Sequence, residues 1–120
     1  MPRLVPRLLG GTTKREHPEL VRAVAAMAAG MPLAGMVGAL RAMRDRADAT
    51  PLLAHIRVPT LVLCGSDDEI SPASAMRAMA ERIGGARYVE VADAGHLAPL
   101  ERPEEVNRAF VEFLLHPSLG

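Results

Sequence analysis

The sequence predicts an α/β fold in which two parallel strands are joined through a helix and follow a purely helical segment. An unbroken apolar run at 58–65, VPTLVLCG, is typical of a parallel strand that is buried on both faces. The stretch Arg87–Val91 predicts a second strand, and an amphipathic segment lies between the two. The order strand, helix, strand, helix implies a right-handed crossover and therefore a parallel pair.

The chain divides near residue 50 into two units that differ in their predicted secondary structure. Residues 1–50 predict helices and loops, whereas residues 51–120 carry both predicted strands. In the first unit, apolar residues over 18–28 recur at helical spacing, and glycine and proline follow as stop signals. We therefore expect a helical unit in front of a small α/β unit.

A second helix of the first unit is predicted over about 33–46. It places Met36, Leu40 and Met43 on one face, while arginines take the other. Two glycines weaken the prediction, since each costs up to about 1 kcal/mol in a helix interior. The Met-rich face fits ordinary core or interface packing. It also fits an apolar wall over a substrate pocket, because methionine is flexible and polarisable.

Proline marks the helix starts of the second unit. Thr50-Pro51 and Ser71-Pro72 each combine a capping residue with proline at the first helical position. They predict a short helix through His55 and a longer one that ends at Gly84-Gly85. Residues 93–102 are predicted to form a loop after the second strand.

The final helix is predicted to begin at Pro103, with acidic residues in its first turn that suit the helix dipole. Its apolar residues recur at helical spacing. They predict a buried stripe of Val106, Phe110, Phe113 and Leu114.

Composition excludes several classes of function. The 14 basic and 14 acidic residues balance and aromatic residues are scarce, so neither a nucleic-acid nor a membrane partner is expected. The single cysteine, Cys64, is expected to be a buried small hydrophobe. The four histidines show no zinc-ligand spacing, so no metal or cofactor is predicted. With no apolar stretch of roughly 18 residues and no recognisable signal peptide, a cytoplasmic location is expected.

Chemically active side chains follow both predicted strands. Asp67 and Asp68 come after the first strand, and His96 follows the second, directly after Gly95. Function in open α/β sheets gathers beyond the carboxyl ends of the strands, where neighbouring strands lie about 4.8 Å apart. A carboxylate and an imidazole can meet there, and the carboxylate would fix the tautomer that a general base needs. Taken alone, a turn-stabilising aspartate and an ordinary loop histidine explain these residues better.

Three motifs in a fixed order favour the catalytic interpretation of these residues over the structural one. They read Gly65-Ser66-Asp67-Asp68 through Pro72, then Ala94-Gly95-His96, then Glu101-Arg102-Pro103. In this order and spacing, the chain beyond residue 50 resembles the C-terminal segment of α/β-hydrolase-fold enzymes. The preceding helical stretch resembles the cap of the 3-oxoadipate enol-lactonase-like and carboxylesterase-like branches.

The resemblance implies a set of roles. Asp68 would be the acid of a catalytic triad and His96 its general base. Residues 1–50 would be the remnant of a helical cap, whose Met36, Leu40 and Met43 would line or cover the pocket. The implied substrate is a small-molecule ester or lactone, and the implied chemistry needs no cofactor.

The nucleophile of that family, a serine in G-x-S-x-G, does not occur in this sequence. Ser66 lies in the acid loop and Ser71 is best explained as a helix cap. The oxyanion hole and earlier strands would also precede this chain, so we expect an incomplete domain that is inactive in isolation. An open sheet edge further predicts dimerisation, aggregation or a molten state.

Two other functions stay open on the sequence. A βαβ layer without a nucleophile also fits a non-catalytic binding or assembly module that pairs with a partner bearing the missing half. A parent enzyme that is a cofactor-free haloperoxidase or a C–C bond hydrolase would share the same acid and base. The motifs therefore do not distinguish such a parent from an esterase or lactonase.

Overall fold

The computed structural model describes residues 4–117. The elements are, in chain order, α1 Val5–Leu8, α2 Gly11–Glu16, α3 Pro18–Ala29, α4 Leu33–Asp45, a 3-10 helix Thr50–His55, β1 Leu61–Gly65, α5 Ala73–Arg82, β2 Arg87–Val91, α6 Ala98–Glu101 and α7 Pro103–Leu115. The predicted α/β fold is confirmed, because β1 and β2 pair in parallel with Leu61 opposite Arg87 and Gly65 opposite Val91.

Each face of the sheet packs against a helix. On one face, Ala80 of α5 and the neighbouring Ile83 form a buried cluster with Val62 of β1. On the other, Val106 of α7 packs in a cluster with Val91 of β2. Successive strand residues point to opposite faces, so a strand covered on both sides is apolar throughout. This packing accounts for the unbroken apolar run that predicted β1.

The N-terminal helices meet the α/β unit at the loop that follows β2. Val5, Leu9 and Val24 form a buried cluster, and Leu97 of that loop packs against it. The division of the chain near residue 50 stays a prediction. Within residues 4–117, no single helix is long and apolar enough to cross a membrane. Helices α3 and α4 meet that criterion only as a pair bent by 96°.

The predicted capping roles of Thr50 and Ser71 are wrong. Neither side chain caps its helix. Instead, the Thr50 N–H donates to Asp48 Oδ1 at 2.9 Å, and the Ser71 N–H donates to Asp68 Oδ1 at 2.8 Å. An aspartate two or three residues upstream reaches these amides first, since its carboxylate readily closes a local turn.

The buried stripe predicted for α7 is only half right. Val106 is 1% exposed, but Phe110 is 46% and Leu114 is 73% exposed, and Ala109 is buried in their place. The sheet has two strands within residues 4–117, so it covers only part of the helix. The loop predicted over 93–102 is also interrupted by α6, which has proline near its first position, where helices commonly start.

Candidate active site

The site lies where the loops after β1 and β2 cross beyond the sheet. The Ser66 N–H donates to Val91 O at 2.9 Å, and the Asp67 N–H donates to Ala94 O at 2.8 Å. Gly65 makes this approach possible, because a Cβ there would lie 2.3 Å from Ala94 O. The two loops therefore continue the contact of the parallel strands past their ends.

Asp68 and His96 meet at this crossing. His96 Nδ1 lies 3.0 Å from Asp68 Oδ2 and 3.3 Å from Oδ1. The Asp68 side chain is 5% exposed, whereas that of His96 is 35% exposed. Asp68 Oδ1 also accepts hydrogen bonds from the Ile70 and Ser71 amides, both at 2.8 Å. The carboxylate is thus fixed from one side by its own turn and faces the imidazole on the other.

This geometry indicates which nitrogen of the His96 imidazole carries the proton in the neutral ring. A carboxylate only accepts hydrogen bonds, so His96 Nδ1 must donate to Asp68. The neutral ring then has Nε2 as a free acceptor, on a side chain that is partly open to solvent. An imidazole in this tautomer, with its far nitrogen accessible, can take a proton from a hydroxyl group.

Asp67, the other candidate acid, has a different environment. Its side chain accepts a hydrogen bond from Ser66 Oγ at 3.4 Å, and its Oδ2 lies near Gly10. The structure therefore brings Asp68, and not Asp67, to His96. Within residues 4–117, no serine hydrogen-bonds to the His96 imidazole, and Ser66 Oγ instead accepts the Asp93 N–H at 3.1 Å.

The backbone of His96 is held by the N-terminal segment, which the sequence motifs did not reveal. The amides of His96 and Leu97 both donate to Leu8 O, at 2.9 and 3.2 Å. Gly95 allows this contact, because a Cβ at that position would lie 2.5 Å from Gly10 N. A pair of glycines far apart in sequence, at 10 and 95, was the only available signal.

Met36, Leu40 and Met43 line one groove of about 540 Å³. Among the described residues, every side chain that lines it is apolar, and the lining includes Leu8 and Leu97, which meet at the His96 backbone. The groove therefore extends from α4 to the leucines beside the His96 backbone, while the imidazole itself does not line it. In the part of the chain that the structure describes, no three histidine, cysteine or acidic side chains are grouped to hold a metal ion.

Residues 1–109 match the alpha/beta hydrolase family. The chain belongs to this family. Its structure superposes on a thermophilic esterase from Thermogutta terrifontis with a TM-score of 0.93 at 40% identity, over 98% of this chain and 43% of the esterase. The enol-lactonase from Burkholderia xenovorans LB400 gives a TM-score of 0.87 at 29% identity, over 96% of this chain and 44% of that one.

Two relatives found by sequence align with a smaller share of this chain than the two solved structures do. The 3-oxoadipate enol-lactonase 1 of Acinetobacter baylyi is 35% identical over 83 residues, which are 69% of this chain and 30% of that protein. The "Putative non-heme bromoperoxidase BpoC" of Mycobacterium tuberculosis is 39% identical over 77 residues, or 62% of this chain and 29% of that protein. The chain thus spans less than half the length of each relative.

Proposed function

We propose that this chain supplies the acid and the base of a serine-hydrolase active site. His96 is the general base, and Asp68 orients it. The observation that carries this proposal is the 3.0 Å contact between His96 Nδ1 and Asp68 Oδ2, with the aspartate buried and the imidazole partly exposed. With Nδ1 bound to Asp68, the lone pair of Nε2 is the one that can accept a proton from a nucleophile.

The mechanism follows from the direction of these hydrogen bonds. Nε2 of His96 accepts the proton of a serine hydroxyl as the serine attacks the carbonyl carbon of the substrate. The imidazolium that forms donates its Nδ1–H to Asp68, whose negative charge stabilises it. Nε2–H then gives the proton to the leaving oxygen as the carbon–oxygen bond of the ester breaks, which leaves an acyl-serine. A water molecule, deprotonated by Nε2 of His96, attacks this acyl group, and the proton returns to the serine oxygen as the acid is released. The serine and the oxyanion-hole amides would be supplied by the part of the α/β-hydrolase domain that this chain, at 43% of the length of the esterase, does not cover.

We infer that the substrate is a small ester or lactone and that the protein acts in the cytoplasm. Structural similarity to an esterase and an enol-lactonase supports the class. The groove lined by Met36, Leu40 and Met43 supports an apolar acyl or alcohol group, because none of its lining side chains within residues 4–117 forms ordinary hydrogen bonds.

A cofactor-free haloperoxidase is the second candidate. The 39% identity to the protein named as a bromoperoxidase favours it. The same acid and base would serve both reactions. The test uses this chain completed by the remainder of the Thermogutta terrifontis esterase. Bromination of an added acceptor in the presence of peroxide and bromide, at a rate that exceeds ester hydrolysis by the same protein, would support this candidate over the hydrolase.

The isolated chain is expected not to hydrolyse esters, since acid and base alone lack a nucleophile. Purified protein should cleave p-nitrophenyl acetate no faster than a His96→Ala control and should not react with a fluorophosphonate. Labelling by the fluorophosphonate would show that this chain holds its own nucleophile, and would overturn the division of roles proposed here.

A further inference from the structure

Glu101 is a buried acidic side chain that the proposed mechanism does not use. It is 4% exposed and lies at the end of α6. Its Oε1 accepts the Gly10 N–H at 2.7 Å, and its Oε2 accepts the Gly95 N–H at 3.0 Å. Within residues 4–117, no basic side chain forms an ion pair with it, so these amides are its main partners.

Both amides belong to the contact that holds His96. Gly95 directly precedes the histidine, and Gly10 lies two residues after Leu8, whose carbonyl accepts the His96 N–H. The segments are so close that a Cβ on Gly95 would lie 2.5 Å from Gly10 N. The Glu101 carboxylate therefore bridges two backbone segments that face each other with N–H donors.

We propose that Glu101 is a positioning residue for His96, an inference that rests on the proposed role of His96 as the base. Two N–H groups cannot bond to each other, so the Gly10 and Gly95 amides need an acceptor between them, and Glu101 adds this link to the two hydrogen bonds on Leu8 O. With the bridge in place, the His96 backbone is fixed relative to Asp68. Without it, the two hydrogen bonds to Leu8 O still join the segments, but the loop before His96 is held less tightly, and the Nδ1 contact with Asp68 becomes more variable.

Glu101→Gln tests the bridge with almost no change in shape. The glutamine amide has one oxygen and one NH2 group, and the NH2 group would face a backbone N–H. One of the two amides therefore loses its acceptor. Glu104→Gln is the matched control, because Glu104 is exposed in the first turn of α7.

The readout is the tautomer of His96 in the intact chain, measured from the imidazole nitrogen shifts by NMR. The signals are assigned by their loss in His96→Ala. The unsubstituted chain and Glu104→Gln should show mainly the Nδ1–H form. Glu101→Gln should show a mixture of Nδ1–H and Nε2–H forms at a temperature at which the chain is still folded.

A folded Glu101→Gln variant that keeps the original tautomer ratio would overturn the proposal, even if its melting temperature falls. If this variant does not fold, Glu101→Asp replaces it, since it keeps both oxygens but is shorter by one methylene. An unchanged ratio in folded Glu101→Asp would also overturn the proposal, and a mixed ratio supports it.

Asp68→Asn separates this inference from the proposed function. Loss of the Nδ1–H preference in Asp68→Asn supports the acid–base pair independently of Glu101. If Asp68→Asn alters the ratio and Glu101→Gln does not, only the positioning role fails. If Asp68→Asn leaves the ratio unchanged, the acid–base pair fails instead.

Discussion

The carboxylate of Asp68 accepts hydrogen bonds both from the turn that carries it and from the imidazole of His96. Oδ1 takes the amides of Ile70 and Ser71, and Oδ2 takes His96 Nδ1. The hydrogen bonds within the turn therefore fix the direction of the carboxylate independently of His96. The G-x-x-D spacing and the A-G-H motif predicted this meeting of Asp68 and His96. The third motif includes Glu101 but did not reveal its role, and Leu8 carries no motif, because both residues act on backbone groups.

Gly95→Ala is expected to destabilise the chain by about 1–3 kcal/mol, since the added methyl group meets backbone that cannot rotate away. The new Cβ would lie 2.5 Å from Gly10 N and 2.8 Å from Leu9 C. Gly35→Ala in α4 is the matched control, because nothing lies within 4 Å of its Cβ position. The control should gain about 0.5–1 kcal/mol from helix propensity. Urea unfolding measures both, and equal stabilities would contradict the close contact at Gly95.

Tyr88 is expected to ionise at unusually high pH. Burial raises its pKa, and hydrogen bonds with Cys64 and Glu90 raise it further. Folding thus favours the neutral phenol, so its contribution to stability is present below pH of about 10, the ordinary value, and is lost as the pH rises through the folded pKa. Tyr88 is the only tyrosine and there is no tryptophan, so absorbance at 295 nm follows it alone.

The control for Tyr88 is the same titration in urea, where the midpoint should return to the ordinary value. Glu90→Gln should lower the midpoint in the folded chain, because the phenol hydroxyl donates to Glu90 Oε1 at 2.8 Å. Identical midpoints with and without urea would show that Tyr88 lacks the environment described here.

At the scale of elements, the strands were the most predictable part. Composition identifies a strand buried on both faces, and β1 and β2 lie within the predicted ranges. The burial of α7 was not predictable from its own pattern, since the pattern shows which face is apolar and not how much of that face is covered. The capping predictions at Thr50 and Ser71 failed for a similar reason. The side chains that accept hydrogen bonds from these amides belong to Asp48 and Asp68, which lie outside the Thr-Pro and Ser-Pro pairs on which the predictions rested.

Two valines on α7 test how the helix packs. Val106→Ala is expected to cost about 1–3 kcal/mol, because Val106 is 1% exposed and its truncation leaves a cavity. Val111→Ala is the same substitution on the same helix, but Val111 is 55% exposed and should change stability by less than about 0.5 kcal/mol. Both variants are compared by urea unfolding at a dilution at which light scattering shows the chain to be a monomer. A cost for Val111→Ala as large as that for Val106→Ala would mean that the exposed face of α7 is covered in solution.

The whole molecule is less compact than a domain of its length. Its radius of gyration is 16.0 Å, against about 13.6 Å expected for a compact chain of this size. Phe110, Leu114 and Leu115 are exposed on α7, and each strand of the sheet has only one neighbour within residues 4–117. Open strand edges beside apolar surface favour association with another chain.

Self-association is therefore expected for the isolated chain. Light scattering coupled to size exclusion should give a mass above that of one chain, which falls on dilution. A chimera that covers the sheet edge with the remainder of an esterase is the control and should stay at the mass of one chain. A monomer at every concentration, with cooperative thermal unfolding, would contradict this expectation.

The same chimera gives the most direct test of the acid–base assignment. Residues of this chain replace the matched 43% of the Thermogutta terrifontis esterase, to which they are 40% identical. We measure kcat for hydrolysis of p-nitrophenyl butyrate by the chimera and by its Asp68→Asn, His96→Ala and Asp67→Asn variants. The chimera should hydrolyse the ester, with kcat lowered by about 10³-fold or more in His96→Ala and Asp68→Asn and little changed in Asp67→Asn. A folded chimera that is inactive, or one whose rate survives His96→Ala, would contradict the account.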